Sequence, residues 1–176
     1  ADQFVPGAGQ GRWKNEGRPM TQDIPQIATA NYTAHPNQNT QNMRALRDDV
    51  LTAIDDANTV ILDHRSPEEY NGELLSPPGT PNHGGERLGH IPGARHLHFE
   101  DMVNEDTSFK SADELRAMLE ARDATPNKNI VSYCRLSHRA TLAYFALTQL
   151  LGFENVRSYD GSWTEWGSLV GVPIER

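Results

Sequence analysis

Cysteine is nearly absent: Cys134 is the one thiol among 176 residues. A single thiol cannot close an internal disulfide, so the fold rests on packing, and a free thiol suits a reducing compartment, which points to the cytoplasm. Long apolar runs are missing too. No stretch approaches the roughly 20 residues a membrane helix needs and no signal-peptide core is visible, so no membrane partner is expected. Positive charge is short: 16 Lys and Arg against 24 Asp and Glu give −8, which argues against a nucleic-acid-binding surface while leaving room for a local basic site in a cleft. Hydrophobic residues make up only 36%, beside 11 prolines and 14 glycines, a mixture that predicts a compact core carrying long loops or an extended arm. The length fits one domain with such an arm. Ala1 in place of Met suggests a processed or shortened chain.

Residues 1–40 show no sustained period and are rich in Gly, Pro, Asn and Gln, the composition of an extended arm. Met43, Leu46, Val50, Leu51 and Ile54 then fall at helical spacing and predict an amphipathic helix over about 41–56. "NTVILD" (58–63) is a short apolar run of the kind buried in a parallel sheet. Ser66, Pro67, Glu68 and Glu69 form a helix-start pattern. A Gly- and Pro-rich loop (72–94) leads to a strand at 94–99. Ser111 with Glu114 is a capping box opening a helix over 111–123. "NIVSYC" (129–134) predicts a strand, 139–152 an apolar helix ended by Gly152, and "VRSYD" a last strand. Strands alternating with helices at this spacing predict a parallel sheet covered on both faces, with ligands beyond the carboxyl ends of the strands. Cys134 stands at such a place.

A thiol is a nucleophile only as thiolate, and its ordinary pKa of about 8.5 must fall for use near neutrality. The stretch "YCRLSHRAT" (133–141) offers three means: backbone N–H groups of residues 135–139 at a helix start, the helix dipole, and the charges of Arg135, Arg139 and His138. The same features favour an anionic substrate. The alternative is a small apolar filler, the commoner role of a lone cysteine.

Four stretches together resemble the rhodanese sulfurtransferases: "LDHRSPEEYNGE" (62–73), "GHIPGARHL" (89–97), "YCRLSHRA" (133–140) and "YDGSWTEWG" (159–167). The resemblance implies a rhodanese-like α/β domain over 41–176, a five-stranded, mainly parallel sheet with helices on both faces, preceded by an extended arm or interdomain linker over 1–40. The C-terminal signature and the long insertion before "GHIPGA" are similar to the catalytic half of two-domain thiosulfate sulfurtransferases, and "GQGRWKNEGRPMT" (9–21) to the end of a preceding domain and the linker after it. A preceding rhodanese-like domain, joined or separate, is therefore an expected partner.

The resemblance makes Cys134 the nucleophile and persulfide carrier. Arg135, Leu136, Ser137, His138 and Arg139 would cradle a small anionic sulfur donor, for which thiosulfate fits the basic loop better than mercaptopyruvate, and a thiophilic acceptor such as cyanide would then take the sulfur. Arg65 would bind the donor or pair with a neighbouring carboxylate, with Asp63 and Arg87 in support. No metal or organic cofactor is implied. Ser137 replaces the family's usual glycine, so a positive φ there would be strained.

Two other functions compete. Cys134 to Arg139 is one residue shorter than the Cys-x5-Arg of cysteine phosphatases and arsenate reductases, a smaller cradle. A sulfur-relay module would hold the persulfide for a partner without turnover. Elsewhere, His96 and His98 share a strand face near His90, Glu100 and Asp101, but lack a further ligand for a metal site. "GAGQG" (7–11) lacks the strand and Lys of a phosphate loop. Trp163 and Trp166 are expected to pack the last turn onto the sheet, Asp160 and Ser162 to cap it, and an activated, exposed Cys134 to be open to oxidation.

Overall fold

A computed structural model describes residues 9–33, 40–82 and 84–176. Five strands, β1 (Arg44–Ala45), β2 (Thr59–Asp63), β3 (Arg95–His96), β4 (Asn129–Tyr133) and β5 (Val156–Tyr159), form one sheet in the order β1-β5-β4-β2-β3, every pair parallel. The expected parallel α/β sheet is present, and its order follows from helical crossovers between consecutive strands.

Both faces are buried because Val60, Ile61 and Leu62 of β2 and Ile130, Val131 and Tyr133 of β4 send apolar side chains to both sides, with Ser132 a buried polar exception. Val60, Leu62 and Ile130 pack into a core with Leu115 and Leu119 of helix α4 (Ala112–Glu120) and Ala143 of α5 (His138–Phe145). Ile61, Val131 and Tyr133 point the other way, onto Val50 and Ala53 of α2 (Arg47–Ile54) and Trp163 and Trp166 of α6 (Ser162–Trp166). The two tryptophans pack the last turn onto the sheet as expected. The short α3 (Pro67–Tyr70) starts at Ser66 with a complete capping box, and α4 at Ser111 with another.

Three expectations are corrected. The helix expected over 41–56 is shorter: Thr40–Met43 is a 3-10 turn, Arg44 and Ala45 pair with Ser158 and Tyr159 as the edge strand β1, and α2 begins at Arg47. The period misled because Met43, Leu46 and Leu51 face outward, and only Val50 and Ala53 of this helix are buried. The strand expected over 94–99 is two residues long and gives way to a 3-10 turn at Phe99–Met102, while α5 continues as a π-helical turn (Ala146–Leu150) before Gly152. The arm is not wholly extended: α1 (Gly9–Asn15) lies within it, and Arg18 lies over the Trp13 ring. Residues 1–8 and 34–39 of the expected arm, with the start of "GAGQG", lie outside the described residues. No helix among the described residues is long and apolar enough to cross a membrane.

His64 follows β2, its N–H bonded to the Tyr133 carbonyl and its Nδ1 donating to the Leu97 carbonyl at 2.7 Å. Nε2 is therefore the unprotonated nitrogen, buried without a partner among the described residues. Burial pushes the His64 pKa down to about 4; the Leu97 carbonyl and Asp63 oppose this, and His96 and Arg122 add to it. The unfolded chain binds this proton near pH 6.5, so stability is unaffected above that pH, declines as the pH falls, and reaches its full loss, on the order of 3 kcal/mol, below pH 4. His64→Leu should flatten that part of the profile. Thermal melts of both proteins between pH 7 and 4 check it, and parallel profiles would contradict it.

Candidate active site

The carboxyl ends of β2 and β4 meet in a buried polar knot. Asp63 accepts from the Arg65 backbone N–H at 2.9 Å, from Arg65 Nη2 at 2.6 Å and from the Tyr133 hydroxyl at 2.6 Å. Arg65 also donates Nη2 to the Gly89 carbonyl at 2.7 Å and lies over the Trp163 ring at 4.3 Å. Burial alone would raise the Asp63 pKa, but the charge and hydrogen bonds of Arg65 hold it below the usual carboxylate value. Gly89 has no substitute: its φ is +117°, and a Cβ would stand 2.2 Å from the Glu175 carbonyl. Of the two roles expected for Arg65, pairing with a carboxylate is observed, yet its Nη1 is buried with no partner among the described residues.

Beyond Tyr133 the chain turns through residues 134–137 into α5. Ser162 shapes this loop from below. Its Oγ accepts from the N–H groups of Cys134 at 3.3 Å and Ser137 at 3.1 Å, and donates to the Tyr159 carbonyl at 2.9 Å. The first N–H groups of α6 complete the support, Trp163 donating to the Cys134 carbonyl and Thr164 to the Arg135 carbonyl. With those carbonyls turned toward α6, the N–H groups of Arg135, Leu136, His138 and Arg139 have no acceptor among the described residues. They are the donors available to an anion at the start of α5.

Ser137 sits at φ +64°, the left-handed conformation feared for it, and its Oγ lies 3.1 Å from that of Ser158. Ser162 is also left-handed, at φ +50°. The expected exposure of the thiol is corrected: Cys134 is 1% exposed, at the bottom of the loop. Leu136 (37% exposed) and His138 stand at its rim.

The three arginines are positioned rather than loose. Arg135 is buried, and its Nη2 donates to the Pro81 carbonyl at 3.1 Å and Asn82 Oδ1 at 2.9 Å, latching the insertion loop beside Cys134, while its Nε has no partner among the described residues. Arg139 makes a two-pronged pair with the buried Glu69, at 2.7 and 3.0 Å, and lies 5.9 Å from the Phe99 ring centre. Burial alone would lower the Arg139 pKa, but the hydrogen bonds and charge of Glu69, with smaller help from Cys134 and Asp63, raise it. Arg87, half-buried, donates to the carbonyls of Trp166, Gly167 and Val172, fastening the C-terminal segment.

The histidines form no metal centre among the described residues. His90 Nδ1 bonds the Tyr70 carbonyl, His96 Nε2 bonds the Arg65 carbonyl, and both rings stack on Tyr70. A cavity of about 450 Å³ lined by Asp49, Asp56, Glu154 and Arg157 opens at the amino ends of the strands, the opposite end from Cys134. Backbone geometry and the thiol, not volume, therefore single out the site.

Glu69, Ser158, Ser162 and Asn82 escaped sequence reasoning as site residues. Glu69 carried one signal, the Ser-x-x-Glu capping pattern, which explains it as a helix start and hides its second partner seventy positions on. Ser162 read as a cap, which it is, though of the neighbouring loop.

The family model for the Rhodanese-like domain matches residues 46–169. The chain is 46% identical to "Sulfur carrier protein TtuD" of Thermus thermophilus over 171 residues, 96% of this chain and 59% of that protein. It is 44% identical to a Haloferax volcanii protein named "Putative thiosulfate sulfurtransferase", over 96% of this chain and 57% of that one. The chain thus spans under two thirds of the length of these relatives. Among solved structures, the wild-type EanB structure superposes with a TM-score of 0.83 at 24% identity, covering 96% of this chain and 39% of that one. The anaerobic ergothioneine biosynthesis enzyme of Chlorobium limicola with trimethyl histidine also gives 0.83 at 24% identity, covering 96% of this chain and 40% of that one. At that identity the superpositions speak for the fold alone.

Two substitutions test how the loop is built. Ser162→Ala leaves the Cys134 and Ser137 N–H groups without their acceptor and should lower stability by about 1–3 kcal/mol in urea unfolding. Ser137→Gly removes a left-handed serine but also its hydroxyl bond to Ser158, so its stability should change by less than about 1 kcal/mol in the same measurement.

Proposed function

The chain belongs to the rhodanese-like domain family, and from that premise we propose that it is a sulfurtransferase which moves a sulfane sulfur from thiosulfate to cyanide or another thiophilic acceptor through a persulfide on Cys134. The observation that carries this reading is the loop itself. Cys134 lies at the base of a turn whose N–H groups at 135, 136, 138 and 139 have no acceptor among the described residues, and Arg65 Nη1 and Arg135 Nε are buried without a partner among them as well. Such a setting favours both a thiolate and a small anion beside it.

In the proposed cycle the Cys134 thiolate attacks the outer sulfur of thiosulfate. A new S–S bond forms, the S–S bond of thiosulfate breaks, and sulfite leaves with the electron pair. The acceptor, as cyanide carbon or thiolate sulfur, then attacks the outer persulfide sulfur, and the pair of the breaking S–S bond returns to Cys134 as thiolate. Electrons balance without a metal or organic cofactor. The residues proposed around the donor are Arg65, Arg135, Leu136, Ser137, His138 and Arg139, with Asp63 orienting Arg65. Arg87 supports only through the C-terminal segment.

A sulfur-relay role is the second reading, favoured by the deep burial of Cys134 and by the relative named as a sulfur carrier. A phosphatase role is disfavoured because both terminal nitrogens of Arg139 are held by Glu69. For partners, we infer a preceding rhodanese-like domain, joined or separate, covering the exposed Met20, Ile24, Ile27 and Tyr32 of the arm. The free thiol suits the cytoplasm.

Incubating the chain with thiosulfate and cyanide should yield thiocyanate, and Cys134→Ser should reduce it to background. No thiocyanate from the wild type overturns the enzyme reading. A stoichiometric persulfide without turnover, seen by mass spectrometry, would then select the relay, and phosphate release from an aryl phosphate would select the phosphatase.

A further inference from the structure

We propose that Glu69 sets the charge of the Cys134 cradle, turning Arg139 from an anion ligand into an oriented and neutralised part of the wall, so that a dianionic donor enters without being trapped and a dianionic product leaves. The proposal rests on the sulfurtransferase reading above for its substrate, though its electrostatic core can be tested without turnover.

Glu69 is completely buried, and its carboxylate meets two demands at once. It accepts the Ser66 N–H at 3.1 Å, closing the capping box of α3, and it holds Arg139 by both terminal nitrogens. The first demand does not need a charge, since glutamine serves equally at that position of a capping box. The second does, because Arg139 enters a mostly buried wall beside the thiol, where an unmatched guanidinium would bind whatever anion reached it.

The charged groups around the thiol are Arg65 and Asp63 from the end of β2, Glu69 from α3, and Arg135 and Arg139 from the loop and α5; His138 of α5 stands exposed at the rim, and His64 and Tyr133 are neutral. Asp63 is matched by Arg65 and Glu69 by Arg139. Arg135 alone is left facing neutral partners, the Pro81 carbonyl and the Asn82 amide oxygen. Three guanidiniums against two carboxylates leave one positive charge, which one thiolate balances. Thiosulfate and sulfite each bring two negative charges and so exceed the balance, which weakens ground-state holding and favours release. Without Glu69 the surplus doubles, so that one positive charge remains toward a dianion even after the thiolate is counted, and Arg139 acquires two free donors for its oxygens.

Glu69→Gln preserves the size and the capping bond while removing the charge, and Arg139→Gln removes the opposite half. The pH dependence of Cys134 alkylation by iodoacetamide reports the thiolate directly. In Glu69→Gln its midpoint should fall by about one pH unit, and in Arg139→Gln it should rise by a similar amount. Turnover with thiosulfate and cyanide should show a several-fold lower KM, a lower kcat and roughly tenfold stronger inhibition by sulfite in Glu69→Gln. Midpoints that stay put, or move the same way in both variants while far-ultraviolet circular dichroism remains native, would overturn the proposal, because a merely loosened loop cannot give opposite signs. Should Glu69→Gln fail to fold, the Arg139→Gln midpoint decides alone, a rise supporting and no rise refuting. A wild type that makes no thiocyanate removes the sulfurtransferase reading and leaves the alkylation test standing.

Discussion

The buried pair of Asp63 and Arg65 is the joint on which the site hangs. An ion pair removed from water is costly unless its remaining hydrogen-bonding capacity is met. Here that need recruits one group from each structural part: the Tyr133 hydroxyl from the adjacent strand, the Gly89 carbonyl from the end of the insertion, and the Trp163 face from the last helix. Meeting it brings β2, β4, the insertion loop and α6 to a common point. Cys134 follows Tyr133 directly, so its position is a consequence of that joint.

From this anchor the loop is held by hydrogen bonds that run mostly one way. Ser162 and the first N–H groups of α6 take up the inward carbonyls and two of the N–H groups. The remaining N–H groups are left for an anion. Two left-handed serines, at 137 and 162, are the conformational cost of this arrangement, about 1–3 kcal/mol each. The hydroxyl of Ser137 meets that of Ser158, and that of Ser162 bonds the loop, contacts that glycine at either position could not make. This is a physical reason for serine to stand at 137 despite its positive φ.

The individual strands, the capping boxes and the place of the cysteine were legible because each is marked by residue types within a few positions of one another. Val60, Ile61 and Leu62 announce a strand buried on both sides, and Ser111 with Glu114 announces a helix start, whatever the rest of the chain does. The edge strand β1 was not legible. Two residues carry no period, and Arg44 and Ala45 are extended only because Ser158 and Tyr159 offer them a ladder. Leu46 and Leu51 then imitated a buried helical stripe while facing outward.

The arginines show the same division. Their proximity to Cys134 in the chain marks the site as basic, but their partners stand far away in sequence: Glu69 for Arg139, Pro81 and Asn82 for Arg135, and the C-terminal carbonyls for Arg87. The sequence by itself determined the place of the lone thiol, the strand-to-helix turn that carries it and the positive charge nearby, since these depend on local backbone geometry and residue type. Only the tertiary structure decided which cations are matched, which N–H groups remain open and how deeply the thiol lies. Burial and pairing are set by segments that meet through folding, and electrostatics in a buried site depends on distance in space rather than along the chain.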